Sequence, residues 1–186
     1  METIYCEKVP RIIKNKKKLE EKLNVEIKNR GKEVTIKGKP EDEYIAEAVI
    51  ESIEFGFPFS VAMMIKDHEY LFEIMNIKDH TNRRDLERIR ARIIGKGGKT
   101  FKTIHKLTKC YFELKDNSIG IIGDPEYIKN AQEAIISLIK GSKHSNVYNY
   151  LEKHQIKPIF DFGLRNKSKR KNLKKSKIDP KLLKDF

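Results

Sequence analysis

At 186 residues and a net charge of +13, the chain has room for one large domain or two small ones, each with a modest core. No run approaches the ~20 apolar residues of a membrane-spanning helix, and the N-terminal residues lack the basic-then-apolar order of a secretory signal. Two isolated cysteines, Cys6 and Cys110, are too few for a disulfide framework or a zinc site, so a reducing, cytoplasmic setting is expected.

The charge is unevenly placed. Residues 1–82 hold 14 Lys/Arg against 16 Asp/Glu, whereas residues 83–186 hold 26 against 11. Concentrating positive charge in one half is the footprint of a polyanion binder. A lipid-binding helix would need a large exposed apolar face, and the apolar residues here are needed for a core.

In chain order, Thr3 to Val9 is a first strand candidate. The Lys14, Lys16, Lys17, Lys18 run that follows reads as a solvated face able at most to touch a phosphate from outside. Val25/Ile27 and Val34/Ile36 alternate at the period of half-buried strands. Gly38-Lys39-Pro40 then opens a helix with proline at its first position, and Glu41, Asp42 and Glu43 suit its first turn. Next comes Gly56-Phe57-Pro58-Phe59 and an apolar stretch to Ile65, which is read as a short connecting helix docking two modules together. Tyr70 to Ile77 is another strand candidate.

Two basic amphipathic helices follow, joined by Gly95-Lys96-Gly97-Gly98. Leu86, Ile89 and Ile93 share one helical face, and Arg84, Arg88 and Arg92 form an i, i+4, i+8 stripe on another. Phe101, Ile104 and Leu107 repeat the apolar spacing, with Lys99, Lys102 and Lys106 around them. Residues 83–109 hold ten Lys/Arg against two acids. Glycines let a backbone pass close to a bulky anion, and a helix N-terminus points unpaired N–H groups at it.

Gly98-Lys99-Thr100 also ends like a P-loop, which leaves a nucleotide-binding enzyme as the alternative. That motif requires a glycine at position 93, which is Ile, and a preceding strand rather than a helix. The dinucleotide fingerprint fails at Thr100. A plain structural turn is the third reading, and the local charge argues against it.

The chain then repeats itself at an offset of 85 residues. Val25, Ile27, Val34, Ile36, Gly38, Pro40, Ala46, Ile50 and Gly56 align with Cys110, Phe112, Ile119, Ile121, Gly123, Pro125, Ala131, Ile135 and Gly141. Two copies suggest tandem small domains. In the second, Asp124 is placed to cap the helix opened by Pro125. The expected unit is β-α-α-β-β-α, giving an α+β fold with three-stranded antiparallel sheets and helices packed on one face of each.

Ile93-Ile94-Gly95-Lys96-Gly97-Gly98-Lys99 within such a unit resembles the KH domain, whose GxxG loop clamps about four nucleotides of a single strand. With the linking Gly-Phe-Pro and the Gly141…Val147-Tyr148 segment, residues 2–155 resemble the partner-of-Nob family of small-subunit ribosome biogenesis factors, whose archaeal members are compact proteins with two type I KH domains. The resemblance implies a non-enzymatic factor binding single-stranded RNA near the 3′ end of small-subunit rRNA. It also implies work alongside the endonuclease that matures that end, and a link to the alpha subunit of translation initiation factor 2. The first copy has no glycine between Met1 and Arg30, so the second is expected to be the RNA reader.

The expected division is 1–56, a degenerate KH domain lacking GxxG; 57–69, a connecting helical segment; 70–141, the KH domain with the GKGG loop; 142–162, a helical extension; and 163–186, a basic tail expected to be disordered alone. Residues 163–177 carry eight Lys/Arg and no acid. The expected RNA contacts are Gly95, Lys96, Gly97, Gly98 and Lys99 at the loop, with Arg88 and Arg92 on one side and Lys102 or Lys106 on the other. Ile94 and the strand starting at Lys109 are expected to line the base groove, with Ile93 in the core. The five histidines show no metal-ligand spacing, and His105 reads as an exposed helix position. No catalytic set, metal or cofactor is expected, and the protein is expected to be a monomer.

Overall fold

The computed structural model describes residues 2–154. The first module runs β1 (Glu2–Tyr5), α1 (Val9–Leu23), β2 (Glu26–Arg30), β3 (Glu33–Lys37) and α2 (Pro40–Phe55). Two short helices follow, α3 (Phe59–Ala62) and α4 (Met64–Asp67). The second module runs β4 (Leu71–Asn76), α5 (Leu86–Ile94), α6 (Lys99–Thr108), β5 (Tyr111–Lys115), β6 (Ser118–Gly123) and α7 (Pro125–Lys140), followed by α8 (His144–Lys153).

Each module builds an antiparallel three-stranded sheet, ordered β1-β3-β2 and β4-β6-β5. Alternation decides which face is covered. Ile27, Val34 and Ile36 are buried beneath α1 and α2, and Phe112, Ile119 and Ile121 are buried beneath α5, α6 and α7. The repeat is physical as well as sequential. A Cβ on Gly38 would stand 2.9 Å from Val25 Cγ1, and one on Gly123 would stand 2.4 Å from Cys110 Sγ. In both modules the glycine at the end of the third strand therefore lets the residue just before the second strand, Val25 or Cys110, pack against bare backbone. Asp124 caps α7 as expected, its carboxylate accepting from Glu126 N–H at 2.8 Å.

Three expectations need correction. The first module is β-α-β-β-α: at the offset of 85 the positions of α5 fall on residues 1–9, where β1 lies, so α1 is the counterpart of α6 alone, extended back to Val9. Pro10 sits in the first turn of that helix, so the first strand ends at Tyr5 rather than Val9. The connecting segment forms two short helices rather than one. The basic tail, and the extension beyond His154, lie outside the described residues.

The two modules share a packed junction. Strand β6 is buried on both faces, with Ile119 and Ile121 facing its own helices and Gly120 and Ile122 facing the first module. Phe55, Phe57 and Phe72 cluster there with ring centroids 5.9–6.2 Å apart. A Cβ on Gly120 would meet the Phe55 and Phe57 rings at 2.8 Å, so the aromatic seat depends on glycine. Lys115 Nζ lies 3.2 Å from Glu54 Oε1, tying β5 to the end of α2. The aromatic cluster is thus core, as its composition suggests.

Candidate nucleic-acid interface

Helix α5 starts where Asp85 accepts from Arg88 N–H at 3.2 Å and buries Ile89 and Ile93. It stops at Gly95, which has φ +74°, and Gly95 N–H donates to Ala91 O at 2.8 Å. The chain then turns through Gly97 (φ +61°) and Gly98 (φ +73°) into α6. L-residues enter this left-handed region at a cost, which is why the bend needs glycine.

The three glycines do different work. A Cβ on Gly95 would lie 2.2 Å from Thr100 Oγ1 and 3.0 Å from Thr100 N, so this glycine lets the two helices close on each other. Nothing lies within 4 Å of the Cβ positions of Gly97 and Gly98. Their outer face is open, and the first-turn N–H groups of α6 stand beside it. This geometry also answers the P-loop alternative. A helix precedes the loop, and Thr100 is buried against Gly95 rather than free to reach a nucleotide-bound cation.

Around the open face, Arg88, Lys96, Lys99, Lys102, Lys106 and Lys109 are all exposed. Ile93 is fully buried while Ile94 is half-buried, which separates the core residue from the available one. Lys109 caps α6 in a left-handed conformation, its N–H donating to His105 O at 2.7 Å.

Arg92 is the exception. Its Nη2 donates to Gly141 O at 3.2 Å and to Ser142 O, and His144 Nε2 lies 3.1 Å from Arg92 O. The side chain binds the turn between α7 and α8, so it is a structural clamp rather than a wall of the open face. Helical spacing alone could not show this, because the carbonyls it serves lie 49 and 50 residues away.

The sequence reading misses one neighbouring side chain and misplaces another. Arg90 Nη1 donates to Asp116 O at 3.0 Å, bridging α5 to the β5–β6 turn. His105 is half-buried rather than exposed: its Nδ1 lies 2.9 Å from Cys110 O and its ring 4.7 Å from the Tyr111 ring. Burial holds its pKa below the ordinary histidine value. Burial also pushes the Cys110 thiol up to about 12 and Cys6 to about 11, so both remain neutral core residues. Among the described residues, no group of three or more His, Cys, Asp or Glu could hold a metal ion, and no helix is long and apolar enough to cross a membrane.

Comparison with known proteins places this geometry. Residues 71–156 match the model of the second PNO1 KH domain, a eukaryotic-type KH domain (KH-domain type I). The chain is 34% identical over 138 residues to the RNA-binding protein pno1 of Drosophila pseudoobscura pseudoobscura, covering 70% of this chain and 58% of that protein. Dim2p from Pyrococcus horikoshii OT3 is similar in structure, with a TM-score of 0.76 and 28% identity over 82% of this chain and 98% of that one. The a/eIF2alpha-aDim2p-rRNA complex from the same organism contains a chain with a TM-score of 0.75 and 28% identity, over 83% of this chain and 93% of that one. The chain spans about two thirds or less of the length of the curated relatives it matches. Fold, matched model and named relatives together make this chain similar to PNO1/Dim2-type KH-domain proteins.

Proposed function

We propose that this protein is a single-stranded RNA-binding factor of ribosome maturation, acting by binding alone and engaging small-subunit rRNA near its 3′ end. One observation carries the reading: the open, side-chain-free face over Gly97 and Gly98, ringed by exposed Arg88, Lys96 and Lys99. The relatives' printed names, an RNA-binding protein and a Dim2p–rRNA complex, support the same reading. Loop N–H groups and lysines meet phosphates, which supplies affinity without sequence information. Lys102, Lys106 and Lys109 extend the cationic wall, and Ile94 offers an apolar surface to a base.

In this reading residues 1–56 are a KH module without a clamp, 57–69 connect, and 70–141 are the reader. The extension 142–162 and the tail 163–186 follow, and beyond His154 both lie outside the described residues. The complex that names a/eIF2alpha makes the alpha subunit of translation initiation factor 2 a candidate partner, and the maturation endonuclease is a second. Changing Lys96 and Gly97 together to Asp tests the loop. Affinity for a single strand copying the rRNA 3′ end should fall by at least about tenfold with circular dichroism unchanged, since two like charges then face the phosphates. Unchanged affinity would remove the loop from the function.

A further inference from the structure

The first module lacks a clamp, yet its longest exposed basic feature points at the second module's edge. Arg11, Lys14 and Lys18 fall at i, i+3 and i+7 on α1, one stripe of the helix, and all three are exposed. Among the described residues, no carboxylate lies within ion-pair distance of Lys14 or Lys18. Glu20 pairs with Lys16 at 3.9 Å on the other side of the helix, and Glu21, the acid that helical spacing puts beside Lys18, is exposed and lies beyond ion-pair distance of it.

The position of the stripe is what matters. Strand β5 is an edge of its sheet and is the strand after Lys109 that the sequence expects to line the base groove. The start of α1 abuts the outer face of that strand. Lys115 on β5 lies 3.8 Å from Glu7 and 3.2 Å from Glu54, and Glu54 also accepts from Lys8 N–H at 2.8 Å. Arg11 Nη1 donates to Gly56 O at 3.3 Å, and a Cβ on Gly56 would lie 3.0 Å from Glu113 Cγ of β5. Arg11 and Lys8 both pull against the burial that raises the Glu113 carboxyl pKa, and Lys115 faces the other two acids at the crossing, Glu7 and Glu54.

We propose that Arg11, Lys14 and Lys18 form a second, sequence-independent phosphate track that receives a single strand once it has crossed β5 out of the groove. This rests on the loop reading above, because it needs the groove to deliver the strand. The clamp holds about four nucleotides; the track extends the footprint onto the first module without any glycine loop. No base is read there, since the stripe offers only point charges on flexible stems.

The test compares two single-stranded RNAs, one of about 5 nucleotides and one of about 15 sharing the same core, by fluorescence anisotropy across a salt series. The protein is the full chain and its Lys14→Gln/Lys18→Gln variant, with circular dichroism to verify folding. Wild type should bind the longer strand about tenfold more tightly, and the variant should lose that gain while binding the short strand unchanged. The salt slope for the long strand should shrink by about 1.4, two single-strand phosphates' worth. A variant that keeps the length gain, a wild type without one, or equal weakening of both strands overturns the track. If wild type fails to bind the short strand, the loop reading falls instead; the track is then judged on the long strand, where unchanged variant affinity overturns it.

Discussion

Thr100 closes directly onto Gly95: its hydroxyl oxygen occupies space 2.2 Å from where any Cβ at residue 95 would stand. The contact joins the last turn of α5 to the first turn of α6 and sets the angle of the bend, leaving Gly97 and Gly98 to face outward.

Substitutions within the bend should therefore separate stability from binding. Gly95→Ala forces Thr100 aside and strains a positive φ, and should cost about 2 kcal/mol or more. Gly97→Ala meets open space and should cost about 1 kcal/mol, the price of its left-handed backbone. Urea denaturation of the two variants checks the order, and equal losses would contradict the division of roles. RNA affinity of the folded Gly97 variant should still drop, because a methyl now stands where the phosphate approaches.

The arginines make a second pair. Arg92→Ala removes the donor to Gly141 and Ser142 and should destabilise by about 1–2 kcal/mol, since an exposed and a half-buried carbonyl lose a charged donor that ties α5 to the α7–α8 turn. Arg88→Ala removes an exposed side chain and should leave stability within about 0.5 kcal/mol. Affinity should behave oppositely: Arg88→Ala weakens RNA binding, and the folded fraction of Arg92→Ala binds nearly as wild type. Stability curves and anisotropy on both variants decide the matter.

His105 should lend the second module a pH dependence. Burial holds its folded-state pKa below the ordinary value, so the unfolded chain binds more protons in the window between the two values. Stability then rises with pH through that window and falls as pH drops below ~6.5. Denaturation at about pH 7.5 and about pH 5.5 should show the loss. The His105→Gln variant should show a shallower dependence, and an identical slope would remove His105 as the cause.

Much of the architecture is legible in local spacing. Val34/Ile36 and Ile119/Ile121 alternate at the strand period, Asp124-Pro125 opens a helix, and Gly95 to Gly98 interrupts a basic helical pattern; each is a matter of a few neighbouring residues. The choice of Ile93 as core and Ile94 as the available residue also follows from periodicity. Missing from that spacing were the single helix of the first module and the true positions of Arg92 and His105. The first module has β1 where a counterpart of α5 would lie, and apolar period over so short a stretch does not distinguish the two.

The sequence by itself determined the two sheets, the order of elements in the second module, the site of the bend and the sign of its surroundings, because these depend on residues close together along the chain. Only the tertiary structure decided which arginine faces outward, which glycine is packed and which is open, and how Phe55 and Phe57 rest against Gly120. Those outcomes depend on which helix covers which face, a long-range competition for buried space that helical or strand period does not encode.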